Sequence, residues 1–270
     1  MTTFDKKKIL FPKIAVLLAA FNGQDWIEDQ INSILNQKNI FVKIFISIDF
    51  SNDDTLNICK KIQNEKKNKD NIIILDYGIR YGSSSKNFFR LFRDVDFKEF
   101  DYISLSDQDD IWFDDKLVKS VEKIANKKLS AYSSNVTPFI YKDKKQSILY
   151  KSDPQKKFDY LFEGGGPGCT YVFTNKLAMQ IQELINKKIN LHNEILHHDW
   201  FFYAFARSKS YKWLIDTRSS MLYRQHDKNE LGVNRGLKSF IKRVKIVLNG
   251  TAINQSRKIA IFLEIDKKPE

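Results

Sequence analysis

The first half of the chain alternates between short apolar runs and segments in which apolar residues recur every three or four positions. Continuous apolar runs occupy residues 13–22, 41–48, 71–77 and 102–106, and their length is typical of buried strands. The intervening segments have the spacing of helices. Their apolar residues are Ile27, Ile31, Ile34 and Leu35 in the first, Leu56, Cys59 and Ile62 in the second, and Phe88, Phe89, Leu91 and Phe92 in the third. A fourth helix is predicted over 114–127. This alternation predicts βαβ units and a mostly parallel sheet.

The pattern becomes mixed after residue 130. Strands are predicted over 129–136, 169–174, 212–216 and 219–224, and helices over 175–188 and 199–207. The sequence contains no long linker and no internal repeat, so we predict one α/β domain over residues 1–235, with a first half of about 13–125 and a second of about 126–235.

Residues 236–270 differ from the rest. Helical spacing would place Leu237, Phe240, Ile241, Val244 and Leu248 on one face, flanked by Lys238, Lys242, Arg243 and Lys245. A basic amphipathic helix of this kind favours contact with anionic lipid at the inner face of the cytoplasmic membrane. Packing of the helix on the domain, with a solvated basic face, is an equal alternative.

Composition narrows the class of protein. The chain is 42% hydrophobic and 13% aromatic, enough for a sizeable core, and its formal net charge is +12. That charge is compatible with a soluble surface, with binding to anionic lipid, or with binding to polyanionic ligands such as nucleotides. No motif in the sequence predicts nucleic-acid binding. Two distant cysteines exclude a disulfide framework and a zinc site. Without a long apolar run or a signal-peptide core, the protein is expected to be cytoplasmic.

Polar residues follow three of the predicted strands: Asn22 the first, Asp49 the second, and the run Asp107 to Asp110 the fourth. Since ligands of open α/β sheets bind beyond the carboxyl ends of the strands, these residues predict a site at one edge. Carboxylates as close as Asp107, Asp109 and Asp110 repel one another unless a cation sits among them. A solvent-screened turn and a metal site are both compatible with this run.

Six segments together resemble the bacterial family 2 glycosyltransferases, most of all the rhamnosyltransferase-like branch. They are VLLAAFNGQDWIEDQINSILNQ, ISIDFSNDDTL, DYISLSDQDDIWFDDKL, GGGPGCTYVF, HHDWF and LYRQHDKNELG, and they span roughly residues 13–233 in the order and spacing of that family. The resemblance implies a GT-A type fold, with a Rossmann-like nucleotide-binding half, an acceptor-side extension and C-terminal helices.

The resemblance also implies an activity. Family members move a sugar, with inversion, from a nucleotide-diphosphate donor to an acceptor hydroxyl. Here the donor would be dTDP-rhamnose, although family members use several sugars. The acceptor would be a growing cell-surface glycan such as O-antigen, capsule or lipopolysaccharide, or a lipid-linked oligosaccharide. Mn²⁺ or Mg²⁺ is the expected cofactor, because a hard divalent cation neutralises the leaving diphosphate and prefers carboxylate oxygen.

Residues are carried over at matching motif positions. Asp109 is the expected direct metal ligand; Asp107 either assists it or holds ribose, and His226 completes the metal site. Arg224 is expected near the diphosphate. Asp110 serves structure, capping the next turn, and Trp112 is a packing residue.

Asp199 matches the family's general base, and its alternative role is to cap the aromatic helix that follows. His198 and Trp200 adjoin it. Gly168 and Cys169 belong to the expected acceptor-side loop, in which the glycines either permit close approach of the sugar or only shape a turn.

On the nucleotide side the resemblance points to Ala20, Phe21, Asn22 and Asp49, with Lys86 or Asn87 facing the nucleotide from the next loop. One departure weakens base recognition: many relatives carry two adjacent aspartates where this chain has Ile48 and Asp49. Two other functions are alternatives. One is a nucleotidyltransferase of the same fold, which would need a glycine-rich phosphate loop after the first strand; the segment AAFNGQDW lacks such a loop. The other is a non-catalytic nucleotide-sugar-binding partner subunit, which would show no turnover.

Overall fold

A computed structural model describes residues 11–139, 148–150, 152–188, 190–226 and 250–265. Its strands are β1 (Lys13–Ala20), β2 (Phe41–Ile48), β3 (Ile72–Ile74), β4 (Tyr102–Ser106), β5 (Ile111–Trp112), β6 (Ala131–Phe139), β7 (Val172–Thr174) and β8 (Trp213–Arg224). Its helices are α1 (Ile27–Leu35), α2 (Thr55–Asn64), α3 (Ser84–Asp94), α4 (Lys116–Lys127), α5 (Asn175–Lys187), α6 (Leu191–Glu194), α7 (His198–Ser208) and α8 (Thr251–Phe262). Short 3-10 turns lie at Asp159–Leu161 and Gly168–Thr170.

One sheet has the strand order β3-β2-β1-β4-β7-β6-β8-β5. The strands β3, β2, β1 and β4 run parallel, as the alternation of strands and helices predicts. Strand β7 is antiparallel to both β4 and β6, β6 and β8 are parallel, and β5 is antiparallel to β8. The predicted division near residue 125 falls in the last turn of α4, which leads from β5 into β6.

Two details of the sheet differ from the predictions. The two strands predicted over 212–216 and 219–224 form one strand, β8. The two segments are continuous because β6 pairs with β8 along its whole length, and the register shifts around Asn135 accommodate the polar residues between them. The two-residue strand β5 was not predicted. It forms because Ile111 and Trp112 pair with Leu222 and Met221 of β8.

Both faces of the sheet are covered by apolar packing. Along β1, Ala15 and Leu17 face a cluster that includes residues of α3 and α7, while Val16 and Leu18 face a cluster with α1 and α2. All four are 0% exposed. Burial on both faces explains why this strand is a continuous apolar run rather than an alternating one.

The C-terminal segment contributes a helix to the domain. In α8, Ile259 and the following Leu263 are buried in the same cluster as Tyr160 and α7. The described part of this segment therefore packs on the domain. The predicted amphipathic face over residues 237–248 lies outside the described residues, as does the predicted boundary at residue 235.

None of the helices within the described ranges has the length and hydropathy needed to span a bilayer.

Candidate active site

The carboxyl ends of β1, β2 and β4 meet at one edge of the sheet, as the polar residues after them predict. Ala20 ends β1 opposite Ile48 of β2, and Ser106 ends β4 opposite Leu18. The backbone N–H of Asp49 donates to the carbonyl of Ala20 at 2.8 Å, which joins the two strand ends directly. This edge is where an open α/β sheet binds its ligand.

A cavity of about 310 Å³ lies at this edge, lined by Phe21, Asn22, Phe50, Asn52 and Arg80. Phe21 and Phe50 are 38% and 51% exposed, which is unusual for rings of this size. The central guanidinium carbon of Arg80 lies 3.8 Å from the centroid of the Phe21 ring. Exposed rings and a planar cation provide flat faces on which a nucleobase can stack.

Asp49 holds the turn that carries Arg80. Its buried carboxylate accepts the backbone N–H of Tyr81 at 2.7 Å and that of Gly82 at 2.8 Å, one at each oxygen. Gly82 has a φ of +84°, a conformation that glycine adopts most easily. Asp49 therefore shapes this cavity through the turn, and its predicted direct contact with a base stays a prediction.

Asn87 ties helix α3 to the ends of β1 and β2. Its amide nitrogen donates to the carbonyls of Ser47 at 2.9 Å and Ala20 at 3.4 Å, and its amide oxygen accepts the Ser47 hydroxyl. Asn87 is 2% exposed, so it acts from inside the protein, whereas Lys86 is partly exposed. Of the two residues predicted to face the nucleotide, Lys86 is the one that remains accessible.

Gln108, within the acidic run, contacts the residue that follows β1. Gln108 accepts the backbone N–H of Phe21 at 2.8 Å and donates to the carbonyl of the same residue at 2.9 Å. A Cβ on Gly23 would collide with the Gln108 side chain, so this contact requires glycine there. Gln108 and Arg80 were both missed from the sequence, because their partners lie far along the chain.

Asp109 is paired with His226. The Asp109 Oδ2 and His226 Nε2 atoms are 2.8 Å apart, and the His226 ring stacks on Trp26 at 3.7 Å with 9° between the planes. Arg224 Nε donates to the Asp109 carbonyl at 2.8 Å, and its Nη2 donates to Asp29 at 2.9 Å. The end of β8 is thereby fastened to the acidic run. Trp26 is a third residue that the sequence did not reveal.

Asp110 is fully buried and binds the backbone N–H of Arg224 through Oδ1 at 3.1 Å. The expectation that it caps the following turn was wrong, because α4 begins after Asp115. Burial raises the pKa of Asp110 well above its ordinary range, and the charges of Asp109 and Asp107 add to the rise. A cation among these carboxylates would relieve that repulsion.

One group of possible metal ligands was found within the described residues. Oxygen atoms of Asp107 and Asp110 and the sulfur of Cys169 lie within 4.8 Å of one another. Burial raises the pKa of the Cys169 thiol well above its ordinary value, and the Asp110 and Asp107 charges raise it further, so the thiol is the neutral member. The carboxylates are the donors that suit a hard divalent cation.

Lys116 is a buried cation on the helix that follows the acidic run. Its ammonium nitrogen lies 3.4 Å from the centroid of the Trp112 ring, and the residue is 1% exposed. Burial lowers the pKa of Lys116 to about 7, and the nearby Cys169 and Asp110 limit this shift. Trp112 is 3% exposed, which confirms the packing role predicted for it.

Asp199 lies in the first turn of α7, after the N-cap residue His197. It is half-buried, and its Oδ1 accepts the N–H of Trp200 at 2.8 Å. A Cβ on Gly168 would lie 3.0 Å from the Cβ of Asp199 and 3.2 Å from Nε2 of His198. In this loop, Gly168 therefore lies against Asp199, the candidate base, and the next residue, Cys169, lies against the acidic run.

The neighbours of Asp199 are buried. His198 is 9% exposed and its ring stacks on Phe88 at a centroid distance of 4.1 Å. Trp200 is 8% exposed and its indole N–H donates to the Tyr160 carbonyl at 2.9 Å. Both side chains support the start of α7 from inside, and their predicted contact with an acceptor stays a prediction.

Comparison with known proteins agrees with this architecture. The family model for Glycosyl transferase family 2 matches residues 15–181. The dTDP-rhamnosyl transferase RfbG of Shigella flexneri is 41% identical over 249 residues, which cover 92% of this chain and 85% of that protein.

Solved structures share the fold at low sequence identity. The S. aureus TarS 1-349 structure in complex with UDP-GlcNAc has a TM-score of 0.59 and 14% identity, covering 93% of this chain and 71% of that one. A second crystal structure of TarS 1-349 has a TM-score of 0.56, and this chain covers 60% of the length of that TarS chain. The mannosyltransferase PcManGT from Pyrobaculum calidifontis, in complex with GDP-Man and Mn²⁺, has a TM-score of 0.57 and 12% identity, covering 96% and 77%.

The match to the family model and the relative at 41% identity select a glycosyltransferase over the two other functions weighed from the sequence. The curled, mostly parallel sheet is that of the GT-A glycosyltransferases, as predicted. The chain belongs to Glycosyl transferase family 2 and is a glycosyltransferase with a GT-A fold.

Proposed function

We propose that the protein transfers a sugar, with inversion, from a nucleotide-diphosphate donor to a hydroxyl group of a growing bacterial cell-surface glycan. The observation that carries this proposal is the Gly168–Cys169 loop, which contacts Asp199 on one side and the acidic run on the other. A base for the acceptor and anionic ligands for the donor's metal ion would then lie on either side of one short loop.

The proposed donor is dTDP-rhamnose. Its support is the 41% identity to a protein described as a dTDP-rhamnosyl transferase. The cavity with Phe21, Phe50 and Arg80 gives the base of such a donor flat faces to stack on. The TarS structure with UDP-GlcNAc shows that a protein of this fold binds a pyrimidine nucleotide sugar.

A divalent cation, Mn²⁺ or Mg²⁺, is the proposed cofactor. Asp109, Asp107 and His226 would hold it: Asp109 and His226 contact each other, and Asp107 lies in the acidic cluster with the buried Asp110. The bound cation would neutralise the charge that develops on the leaving diphosphate. PcManGT, a protein of the same fold, was solved with GDP-Man and Mn²⁺.

In the proposed mechanism the chain's own residues position the reactants and move one proton. Asp199 accepts the proton of the acceptor hydroxyl while the oxygen attacks the anomeric carbon. The bond from that carbon to the diphosphate oxygen breaks, and the nucleoside diphosphate leaves with the bonding electrons. Arg224 holds Asp109 in place through its carbonyl, and a contact of Arg224 with phosphate stays a prediction.

The test uses purified protein, a panel of nucleotide sugars and Mn²⁺ or Mg²⁺, with release of nucleoside diphosphate as the readout. We expect release with dTDP-rhamnose, increased by an acceptor. Asp199→Asn keeps an oxygen for the Trp200 N–H but cannot accept a proton. We expect it to bind donor normally and to lose transfer by about 100-fold or more. If no donor binds or is cleaved, the proposed function is wrong, and transfer by Asp199→Asn would remove Asp199 as the base.

A further inference from the structure

The segment that leads into Asp199 is held by the C-terminal helix. Gln255 of α8 accepts the backbone N–H of Leu196 through Oε1 at 2.8 Å and donates from Nε2 to the Glu194 carbonyl at 2.8 Å. Lys258, one turn along α8, lies 2.5 Å from the Glu194 carboxylate. Helix α6 ends at Glu194, residues 195–197 connect it to α7, and Asp199 follows two residues later.

The opposite side of the same connection rests on α3. The Ser85 hydroxyl donates to the Ile195 carbonyl at 3.3 Å, and Phe88 stacks on His198. Because Asn87 of α3 binds the ends of β1 and β2, this side is continuous with the nucleotide half. The connection therefore lies between a helix of the nucleotide half and the C-terminal helix.

Gln255 supplies the hydrogen bonds that hold the backbone of this connection on the α8 side, next to the buried Ile195. The Leu196 side chain is 53% exposed and contributes little packing, whereas Gln255 is 3% exposed with both amide atoms bonded to backbone. Helix α8 is docked independently by Ile259, which is 0% exposed. A buried amide is not needed to dock the helix, since apolar side chains do that without the cost of desolvating polar atoms.

We propose that Gln255 is a positioning residue for the transfer step. By fixing the backbone at Glu194 and Leu196 it sets where α7 begins, and so where the Asp199 carboxylate lies relative to the donor. Gln255 stands 56 positions after Asp199 and outside the residues matched by the family model, 15–181. The proposal rests on the proposed function in one respect, the role of Asp199 as base.

The experiment compares Gln255→Met, which keeps the volume of the side chain and removes both hydrogen bonds, with Gln255→Glu, which keeps the acceptor for Leu196 and loses the donor. Asn254→Ala, at an exposed position of the same helix, is the matched control. The measurements are kcat and KM for transfer, the Kd of the nucleoside diphosphate with Mn²⁺, the melting temperature, and hydrogen exchange of the Leu196 amide.

We expect Gln255→Met to lower kcat by about 10–100-fold, because small displacements of a catalytic group have effects of that size. The Kd of the nucleoside diphosphate should stay unchanged and the Leu196 amide should exchange faster. Gln255→Glu should lie between Gln255→Met and the wild type in kcat, and Asn254→Ala should match the wild type. If Gln255 had only a structural role, Gln255→Met would lower the melting temperature but would not lower kcat while leaving the Kd of the nucleoside diphosphate unchanged.

Two results would overturn the proposal: unchanged kcat in Gln255→Met despite faster exchange at Leu196, or a loss of kcat matched by an equal loss of donor affinity. If Gln255→Met does not fold, a wild-type kcat in Gln255→Glu would also overturn it. Failure of the proposed function would appear differently, since the wild type would then transfer no sugar from any donor. In that case an unchanged exchange rate at Leu196 in Gln255→Met would still refute the contact itself.

Discussion

Asp109 and His226 meet because β8 returns to the acidic run. Asp109 lies just after β4 and His226 just after β8, and Arg224 joins the two segments by its bond to the Asp109 carbonyl. The stacking of His226 on Trp26 leaves its ring little freedom to turn away. A carboxylate held against an oriented imidazole is a suitable pair of ligands for a divalent cation.

Removal of the Asp109 carboxylate should abolish the effect of metal on donor binding. We expect Asp109→Ala to weaken nucleotide-sugar binding in Mn²⁺ by about tenfold or more, and to give the same affinity in Mn²⁺ and in chelator. Titration of the donor by calorimetry measures both. Asp114→Ala is the control, because that carboxylate is half exposed and pairs with Lys38 instead. A variant at Asp109 that still binds donor more tightly with Mn²⁺ would contradict the assignment.

Lys116 is expected to make stability depend on pH. Burial lowers its pKa from 10.5 to about 7, so between these two values the unfolded chain binds the extra proton and stability rises with pH. Lys116→Met removes this slope. Below pH 7 the cost of the buried charge is largest, and there we expect the variant to be more stable by about 1 kcal/mol, or about 2–4 °C in melting temperature.

The gain from Lys116→Met should shrink as pH rises from 7 towards 10, which thermal unfolding at a series of pH values would show. A variant less stable than the wild type at pH 7 would mean that the contact of the ammonium with the Trp112 ring outweighs its desolvation.

At the scale of elements, the loop that precedes β7 joins the two halves of the site. Gly168 packs against Asp199 and His198, while Gly164 approaches the backbone of Trp200. Since Cys169 lies in the buried acidic cluster, the loop cannot shift at one end without disturbing the other. The spacing between Asp199 and the acidic run is therefore set by this short element.

Gly168→Ala should impair transfer more than Gly164→Ala. The new Cβ at Gly168 would lie 3.0 Å from the Asp199 Cβ, too close for carbon atoms, so Asp199 must move. At Gly164 the nearest atoms are 3.4 and 3.5 Å away, an ordinary contact. We expect about a tenfold loss of kcat for Gly168→Ala and little change for Gly164→Ala. Equal activity of the two variants would show that the Gly168 approach does not position Asp199.

At the scale of the whole molecule, the strands of both halves of the domain form one continuous sheet, and the C-terminal helix packs into one of the two apolar clusters that cover it. Phe92, Phe173 and Phe202 come from three different elements of that cluster, and Ile259 of α8 joins it from the far end of the chain. The C-terminal helix is thus part of the domain's core and not an appendage to it.

Truncation of Ile259 should destabilise the whole domain. Ile259 is 0% exposed, so Ile259→Ala should cost about 2–5 kcal/mol of unfolding free energy. Ile261, two residues on, is 63% exposed, and Ile261→Ala should change stability by less than about 0.5 kcal/mol. Urea unfolding of both variants tests this. Equal stabilities would mean that α8 is not docked on the core in solution.

The sequence alone determined the strand-and-helix order of the first half and the edge at which the site lies. Both follow from local patterns, because a strand buried on two faces must be continuously apolar and its polar successor must emerge at its carboxyl end. The six motifs placed Asp107, Asp109, Asp199 and His226 by resemblance. Even so, the continuity of β8 across Thr217 and Arg218 was missed, since pairing with β6 overrides its polar interruption.

Only the tertiary structure decided which residues touch. The pairing of Asp109 with His226, the approach of Gly168 to Asp199 and the bond from Gln255 to Leu196 all join positions distant in sequence. Likewise, Arg80 and Gln108 acquire their roles from contacts with Phe21. Hydrophobic periodicity reports which face of an element is buried, but not which element covers it. That choice depends on strand order and crossover, which the packing of the whole chain settles.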